Sequence, residues 1–335
     1  MTDARPGFNP QRLLRLMSDS IERCNLRLDG LTVLTEAATG AYVVTPVLAA
    51  MAGAKQVYAI AAGSRYGTPK DIANETTAVA RLAGMEENIK LTCDKGRDIV
   101  SQADIITNSG HVRPIDAETI SWMKPEAVVS LMYETWEFRP EDLDIEACRR
   151  RGILVGGVNE CHPAVDVFSF LGITAMKLLL DAGIAIYKSR ILILCDNPFR
   201  FFLQRGLLSA GASVAVRTSS EELIDEEPFD AVVVALQPRS GSVLSTEELS
   251  AIARHSPGLV IAQYWGDLDR EAADARGFFI WPRDPPAPGH MGILPSDPGP
   301  EAIIRLQTGG LKTGEILFRR TYEHVPADAD FVQML

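Results

Sequence analysis

The sequence has few cysteines, a shortage of basic residues and no long apolar segment. Its five cysteines are scattered over 335 residues without a Cys-x-x-Cys pair, which predicts reduced thiols and neither a disulfide framework nor a metal site. Lys and Arg number 33 against 44 Asp and Glu, a net charge of −11, so nucleic acid and anionic membranes are not expected partners. No apolar run reaches the roughly 18 residues of a membrane span, and the first residues lack a signal-peptide pattern. We therefore expect a cytoplasmic protein.

Strand and helix patterns alternate along the chain in two series. Hydrophobic residues make up 46% and charged residues 23%, the balance of an ordinary globular protein, and the length suits about two domains. The β-type runs lie near residues 31–35, 56–61, 89–93, 104–107 and 127–132, and then near 190–195, 213–217, 231–236, 258–262 and 277–281. Strands separated by helical stretches form βαβ units with parallel sheets. The predicted fold class is α/β, with two Rossmann-like parallel-sheet domains separated by a cleft.

Two segments resemble a known family. The run Leu143–Asn159 (LDIEACRRRGILVGGVN), followed by a helical stretch and a strand, resembles the D-2-hydroxyacid dehydrogenases, and Pro288–Gly292 (PGHMG) is similar to the segment with their catalytic histidine. The resemblance implies a substrate-type domain of residues 1–163 plus 301–335, a connecting helix over 164–187 and a cofactor-type domain over 188–300. It also implies NAD or NADP as cofactor, His290 as a catalytic residue, a ligand in the cleft between the domains, and a homodimer.

The turn that would hold the dinucleotide departs from the family pattern. A Gly-x-Gly-x-x-Gly turn lets the backbone approach a pyrophosphate at a helix N-terminus, whereas the matching turn here is Cys195–Arg200 (CDNPFR), without glycine. The next strand ends at Arg217, where the family has an acidic residue for the ribose; Arg217 either meets a 2′-phosphate or is an exposed strand-end arginine. Trp265 stands where the family has the arginine for the substrate carboxylate. The predicted cofactor contacts are Asn197, Arg200, Arg217 and Gln237.

The first domain offers a second place for a ligand. The segment Thr35–Tyr42 joins a strand to a helix, where free backbone N–H groups of Thr39 and Gly40 could hold an anion. It partly matches the Gly-Ala-Thr-Gly turn of Rossmann dehydrogenases and the acidic-then-Gly pattern of S-adenosylmethionine methyltransferases, and a plain tight turn closed by Gly40 is an alternative. The next turn, Ser64–Lys70, carries Arg65 as an anion contact or is an ordinary surface loop.

Three further turns are expected to meet at the carboxyl edge of the same sheet: 108–111, 132–139 and 159–163. Together they supply two imidazoles, a thiol, three carboxylates and an arginine, which suffice for general acid–base chemistry. Their histidines either act as acid or base or cap a strand or helix end. The candidate catalytic residues are His290, His162, Glu134 and Cys161. The candidate substrate-binding residues are Thr39, Gly40, Arg65, Ser109, His111 and Asn159.

Three functions remain open at the level of the sequence. The first is a small-molecule enzyme of dehydrogenase-like fold, an NAD(P)-dependent oxidoreductase. The second is a non-redox transferase or lyase that holds an anionic substrate near Gly40 and Arg65. The third is a catalytically silent ligand-binding or scaffold subunit that has lost the dinucleotide site. Nicotinamide binding, or activity that depends on His290 or His162 without nicotinamide, would distinguish them.

Overall fold

The computed structural model describes residues 5–219, 227–322 and 330–335. The chain divides into two compact units, Met1–Val167 with Gly299–Leu335, and Phe168–Pro298. Both have parallel sheets flanked by helices, so the α/β class with two Rossmann-like domains is confirmed. The sequence predicts a separate connecting helix over 164–187, whereas in the structure that helix belongs to the second unit from Phe168 onward.

The first unit contains a seven-stranded sheet within the described residues. Its order is β12-β6-β5-β4-β1-β2-β3, and every strand pair is parallel except β12 with β6. The apolar side chains of the central strands are almost completely buried on both faces, as expected for a parallel sheet covered by helices. The strands are β1 (Thr32–Glu36), β2 (Gln56–Ile60), β3 (Ile89–Thr92), β4 (Ile105–Thr107), β5 (Val128–Ser130), β6 (Val155–Val158) and β12 (Val332–Met334).

The helices of the first unit begin and end at recognisable signals. Helix α3 starts with a capping box in which Thr68 and Asp71 exchange hydrogen bonds, and α6 stops at Gly152, which has a left-handed conformation. The helices are α1 (Pro10–Arg23), α2 (Val44–Met51), α3 (Pro69–Leu82), α4 (Arg97–Val100), α5 (Ala117–Trp122), α6 (Ile145–Arg151) and α11 (Glu301–Tyr322). Short 3₁₀ turns, among them Gly40–Val43, Gly110–Val112 and Thr135–Glu137, follow β1, β4 and β5.

Helix α11 lies close to the sheet because it presents glycine to it. A Cβ atom on Gly310 would come within 2.4 Å of Met132 Sδ, and one on Gly314 within 2.5 Å of Ile105 Cγ2. Ser130 Oγ, on β5, donates a 2.6 Å hydrogen bond to the carbonyl of Gly310. The tail predicted to be helical from Glu301 to about Tyr322 therefore completes the first unit, as the resemblance implies.

The second unit has a five-stranded parallel sheet in the order β11-β10-β9-β7-β8 within the described residues. Its middle strand reads AVVVA and is buried at every position. Helices α7 and α8 touch at Gly172 and Gly206, where a Cβ on Gly206 would lie 2.6 Å from Gly172 Cα. The elements are α7 (Leu171–Asp181), β7 (Arg190–Leu194), α8 (Phe199–Ser209), β8 (Ser213–Arg217), β9 (Ala231–Ala235), α9 (Thr246–His255), β10 (Val260–Trp265), α10 (Arg270–Asp274) and β11 (Phe279–Trp281).

Candidate functional site

Four neighbouring strands of the first unit end at one edge of the sheet. The strands β6, β5, β4 and β1 are consecutive in the sheet order and parallel, so the turns that follow them meet at this edge. The carboxyl groups in these turns form what we call the acidic cluster: Glu36, Glu134, Glu137 and Glu160. The three turns grouped from the sequence do come together, and Glu36, which the sequence analysis treats only as part of a turn, joins them.

Glu134 ties two of these turns together. Its Oε1 accepts a 2.9 Å hydrogen bond from the backbone N–H of Glu160, and its Oε2 accepts a 2.6 Å bond from Trp136 Nε1. The strand carrying the partner turn can approach because it has Gly157, where a Cβ would lie 2.5 Å from the Tyr133 carbonyl oxygen. Glu134 therefore positions the turn of Glu160; its predicted catalytic role stays a prediction.

Glu36 ends β1 and lies against the turn after β4. Burial raises the pKa of its carboxyl group, while the charge of Arg113 and a hydrogen bond from the backbone N–H of His111 lower it. The turn can come this close only with glycine, since a Cβ on Gly110 would lie 1.4 Å from Glu36 Oε2. Gly110 also has φ +35°, in the left-handed region.

Glu160 is the most deeply buried member of the acidic cluster. Only 7% of the residue is exposed, and its carboxyl oxygens receive no hydrogen bond from any residue that the structure describes. Burial, with the nearby charges of Glu137 and Glu134, raises its pKa well above the ordinary value. A buried carboxyl group without a partner is costly to ionise.

Glu137 and Tyr42 lie beside Glu160. Glu137 is exposed as a residue, but the surrounding protein still reduces the solvation of its carboxyl group; this effect and the charge of Glu134 raise its pKa to about 7. Burial and the charges of Glu36, Glu160 and Glu137 raise the pKa of Tyr42 to about 12. The sequence analysis does not single out Tyr42, because its position three residues beyond Thr39 carries no motif.

The two arginines near the acidic cluster are bonded elsewhere. Arg113 Nε donates 3.1 Å bonds to the carbonyl and side-chain oxygens of Asn108, and its Nε lies 3.5 Å from Asp142. Arg139 forms a two-pronged pair with the same Asp142, at 3.0 and 2.8 Å. Both guanidinium groups lower the pKa of Glu137 only through space. The acidic cluster therefore carries more negative charge than its surroundings neutralise.

The turn 159–163 contains three predicted site residues in structural contacts. Asn159 Nδ2 donates to the Asp330 carbonyl at 2.8 Å, and His162 Nδ1 accepts from the Ala164 N–H at 3.2 Å. Burial and the carboxylates of Glu134, Glu160 and Asp166 raise the pKa of Cys161 to about 11, so the thiol stays protonated at neutral pH. These contacts do not pair Cys161 with His162, and the roles predicted for the three residues stay predictions.

Ser109 and His111 belong to the turn after β4. Ser109 is 5% exposed and its hydroxyl lies 2.8 Å from Thr107 Oγ1, which bonds in turn to Thr35 Oγ1 at 2.9 Å. His111 faces the acidic cluster through its backbone N–H, which bonds to Glu36. Ser109 and His111 thus border the acidic cluster, as their assignment to substrate binding requires.

The predicted anion turn of the first unit already holds a carboxylate. The N–H of Gly40 donates a 3.1 Å bond to Oε2 of the buried Glu75, and Thr39 Oγ1 donates to the Tyr66 carbonyl at 3.2 Å. The neighbouring loop from Gly63 to Asp71 lines an open depression of about 580 Å³. Arg65 is exposed there, with its guanidinium 4.7 Å from the centre of the Tyr66 ring. Anion binding by Thr39, Gly40 and Arg65 stays a prediction.

The second unit has the turn at which related folds hold a dinucleotide, and here the turn is closed by its own atoms. Asn197 Oδ1 accepts from the Phe199 N–H at 3.1 Å, and the carbonyls of Asn197 and Pro198 accept from the N–H groups of Arg200 and Phe201. The first N–H groups of α8 are therefore bonded to the protein. Asp196 adds a carboxylate, which accepts a 2.9 Å bond from the backbone N–H of Gln237. These residues do not fit a pyrophosphate.

The other residues predicted for cofactor binding or catalysis lie on the surface of this unit. Arg200 is exposed with its guanidinium over Phe201, and Arg217 Nη1 donates to the Val216 carbonyl at 2.8 Å. His290 is exposed in the loop before α11, and its N–H donates to the Ala287 carbonyl. Trp265 ends β10 and stacks on Phe199 with ring centres 5.3 Å apart. The contacts predicted for Arg200, Arg217, Gln237 and His290 stay predictions.

Comparisons with known proteins identify the fold. No family model and no curated protein matches the sequence. Among solved structures, a dipicolinate synthase from Bacillus halodurans has a TM-score of 0.53 at 12% identity and covers 84% of this chain and 96% of its own. NAD-dependent formate dehydrogenase from Staphylococcus aureus, in complex with NAD, has a TM-score of 0.51 at 14% identity and covers 90% and 98%.

The fold resembles that of the D-2-hydroxyacid dehydrogenases. The dipicolinate synthase of Bacillus subtilis gives the same result, with a TM-score of 0.52 at 12% identity over 89% of this chain and 98% of its own. The resemblance stated from the sequence is thus confirmed at the level of fold. In addition, no helix in the described part of the chain has the length and apolar character needed to cross a membrane.

Proposed function

We propose that the protein is an enzyme that acts on a small polar molecule by general acid–base catalysis at the acidic cluster. The observation that carries the proposal is the burial of Glu160, 7% exposed and without a hydrogen-bond partner for its carboxyl group among the described residues. Burying such a group costs stability unless function requires it. A carboxyl group with a raised pKa can both donate and accept a proton near neutral pH.

The neighbouring residues give this carboxyl group a defined environment. Glu134 anchors the backbone of Glu160, and Glu137, with its pKa raised to about 7, supplies a second group that titrates near neutrality. Ser109 and His111 border the same edge of the sheet and are suited to contact the substrate. The proposal corresponds to the non-redox enzyme among the three functions left open by the sequence, with the chemistry at the acidic cluster in place of the Gly40–Arg65 region.

A nicotinamide-dependent oxidoreduction is the second candidate. It is favoured by the fold, since one of the similar structures is an NAD-dependent dehydrogenase in complex with NAD. The closed turn at Asn197 and the carboxylate of Asp196 count against it. Thermal melting with NAD⁺, NADH, NADP⁺ and NADPH tests it, because a ligand at about a hundred times its Kd stabilises a protein by about 2.7 kcal/mol. A rise in Tm with one of the four would restore this candidate.

The proposed function is tested by substrate discovery with matched variants. The wild-type protein, Glu160→Gln and Glu87→Gln are incubated with a small-molecule extract, with and without added nicotinamide cofactors, and the extract is followed by mass spectrometry. We expect a compound to be consumed by the wild type and by Glu87→Gln, whose exposed carboxyl group lies outside the acidic cluster, but not by Glu160→Gln. Equal turnover by Glu160→Gln would refute the proposal, and a complete lack of turnover would favour a protein that only binds its ligand.

A further inference from the structure

We propose that the acidic cluster binds a small organic cation, a molecule with a protonated amine that contacts the carboxylate of Glu160. The inference rests on the proposed function, because it names the class of ligand for the same site. It differs from the sequence-based expectation of an anionic substrate near Gly40 and Arg65.

The first argument is the unbalanced charge at the edge of the sheet. Four carboxyl groups meet there, while the nearby guanidinium groups of Arg113 and Arg139 bond to Asn108 and Asp142. Within the described ranges, no Lys or Arg forms an ion pair with a member of the acidic cluster. A bound cation would supply the missing counter-charge and make ionisation of these groups favourable.

The second argument is the buried carboxyl group of Glu160 itself. The two oxygens of Glu134 are both occupied, by the N–H groups of Glu160 and Trp136, whereas the carboxyl oxygens of Glu160 have no partner among residues in the described part of the chain. An ammonium group has three donors and no acceptor, so it matches carboxylate oxygens that lack donors. A neutral alcohol supplies only one donor and no charge.

The third argument is the size and chemistry of the surroundings. Among the described residues, no three His, Cys, Asp or Glu side chains are placed to share one metal ion, whereas a compact divalent ion needs several oxygen ligands within about 2.6 Å. The carboxyl groups are therefore spaced for a larger cation. Tyr42 lies close enough to Glu36 and Glu160 to feel their charges, and aromatic rings next to carboxylates favour organic ammonium groups.

The experiment is calorimetric titration of the full chain with ligands that differ in charge. The cations are putrescine, agmatine and tetramethylammonium; butanediol and succinate have the same four-carbon chain as putrescine but are neutral and anionic. We expect at least one cation to bind, and neither butanediol nor succinate. In Glu160→Gln its affinity should fall at least about tenfold, because removing one partner of a buried charge pair costs more than a decade of affinity. In Glu87→Gln the affinity should stay unchanged.

Each other result overturns the inference. Failure of all three cations to bind, or tighter binding of succinate or butanediol, excludes an organic cation as the ligand class. An equal loss of affinity in Glu87→Gln would mean attraction to the net charge of −11 and not to this site. Thermal melting of both variants checks that they are folded.

The titration reads binding and not turnover, so its failure is separable from failure of the proposed function. Turnover that needs Glu160 without cation binding would reject the ligand class alone. Cation binding at Glu160 without turnover would reject the catalytic role alone.

Discussion

Gly110 controls how closely the turn after β4 approaches Glu36. The N–H of His111 reaches the Glu36 carboxyl group only because position 110 has no side chain. The same residue has a positive φ, which β-carbon-bearing residues rarely adopt. One glycine therefore determines both the backbone path of the turn and the environment of a carboxyl group in the acidic cluster.

Replacing Gly110 by alanine should disturb the site and the fold together. The added Cβ would lie 1.4 Å from Glu36 Oε2, and we expect a loss of about 1–3 kcal/mol in the free energy of unfolding from overpacking. Urea denaturation of the purified variant measures this loss. Turnover or cation binding at the acidic cluster should weaken in parallel.

Gly84→Ala is the matched control for this change. Gly84 also has a positive φ, +69°, but a Cβ there would have no atom within 4 Å, so it isolates backbone strain from the contact with Glu36. A loss in Gly84→Ala as large as that in Gly110→Ala would mean that the contact contributes nothing. In the double variant Gly110→Ala/Glu36→Ala the contact is removed, and part of the stability should return.

Among the elements of the first unit, α11 depends most on glycine. Gly309, Gly310 and Gly314 face β6, β5 and β4, and each would place a Cβ within 3 Å of a strand or turn atom. Glycine weakens an isolated helix by about 1 kcal/mol relative to alanine. The helix therefore gives up intrinsic stability in exchange for close packing on the sheet, which also brings the Gly310 carbonyl to Ser130.

Gly310→Ala should destabilise the protein although alanine is the better helix former. The Cβ would meet Met132 Sδ at 2.4 Å and Met132 Cα at 3.0 Å, and a backbone atom cannot move aside as a side chain can. We expect a net loss of about 1–3 kcal/mol by chemical denaturation. If Gly310→Ala instead raises the denaturation midpoint, helix propensity outweighs packing here. A double-mutant cycle with Met132→Ala should give a coupling energy of opposite sign to the single losses.

At the scale of the whole molecule, the acidic cluster links stability to pH. Burial and neighbouring charge raise the pKa of Glu36, Glu137 and Glu160 above the ordinary value of 4.5. The native state therefore holds more protons than the unfolded state between about pH 4.5 and the folded pKa values, so stability falls as the pH rises through this window. Asp71 and Asp116, whose pKa values are lowered by hydrogen bonds from Thr68 and Thr119, lose their contribution only in more acidic solution.

We expect the urea midpoint of the unliganded protein to be higher at about pH 5.5 than at about pH 8. Glu160→Gln should flatten this dependence and raise the midpoint at the higher pH, because the amide does not ionise. Glu87→Gln, a change on the exposed surface, should leave the wild-type profile intact. A midpoint that rises between the two pH values in the wild type would show that these carboxyl groups are not held protonated.

Much of the architecture followed from local sequence pattern. The α/β class, the two parallel sheets, the strands Ser213–Arg217 and Gln56–Ile60, and the tail helix Glu301–Tyr322 lie where the pattern predicts them. Apolar runs separated by turn residues specify elements independently of distant contacts. The short strand β12, Val332–Met334, was not predicted, since three residues form a strand only through their pairing with β6. The cytoplasmic location and the homodimer remain predictions.

The site divides in the same way. The sequence by itself determined that turns rich in carboxyl groups and histidines follow parallel strands, and that the dinucleotide turn has lost its glycines. Only the tertiary structure decided that Glu36 joins Glu160 across the turn of Gly110, that Glu75 occupies the amide of Gly40, and that the start of α8 is closed by Asn197. Such contacts depend on the close approach of segments far apart in sequence, and local pattern carries no information about that approach.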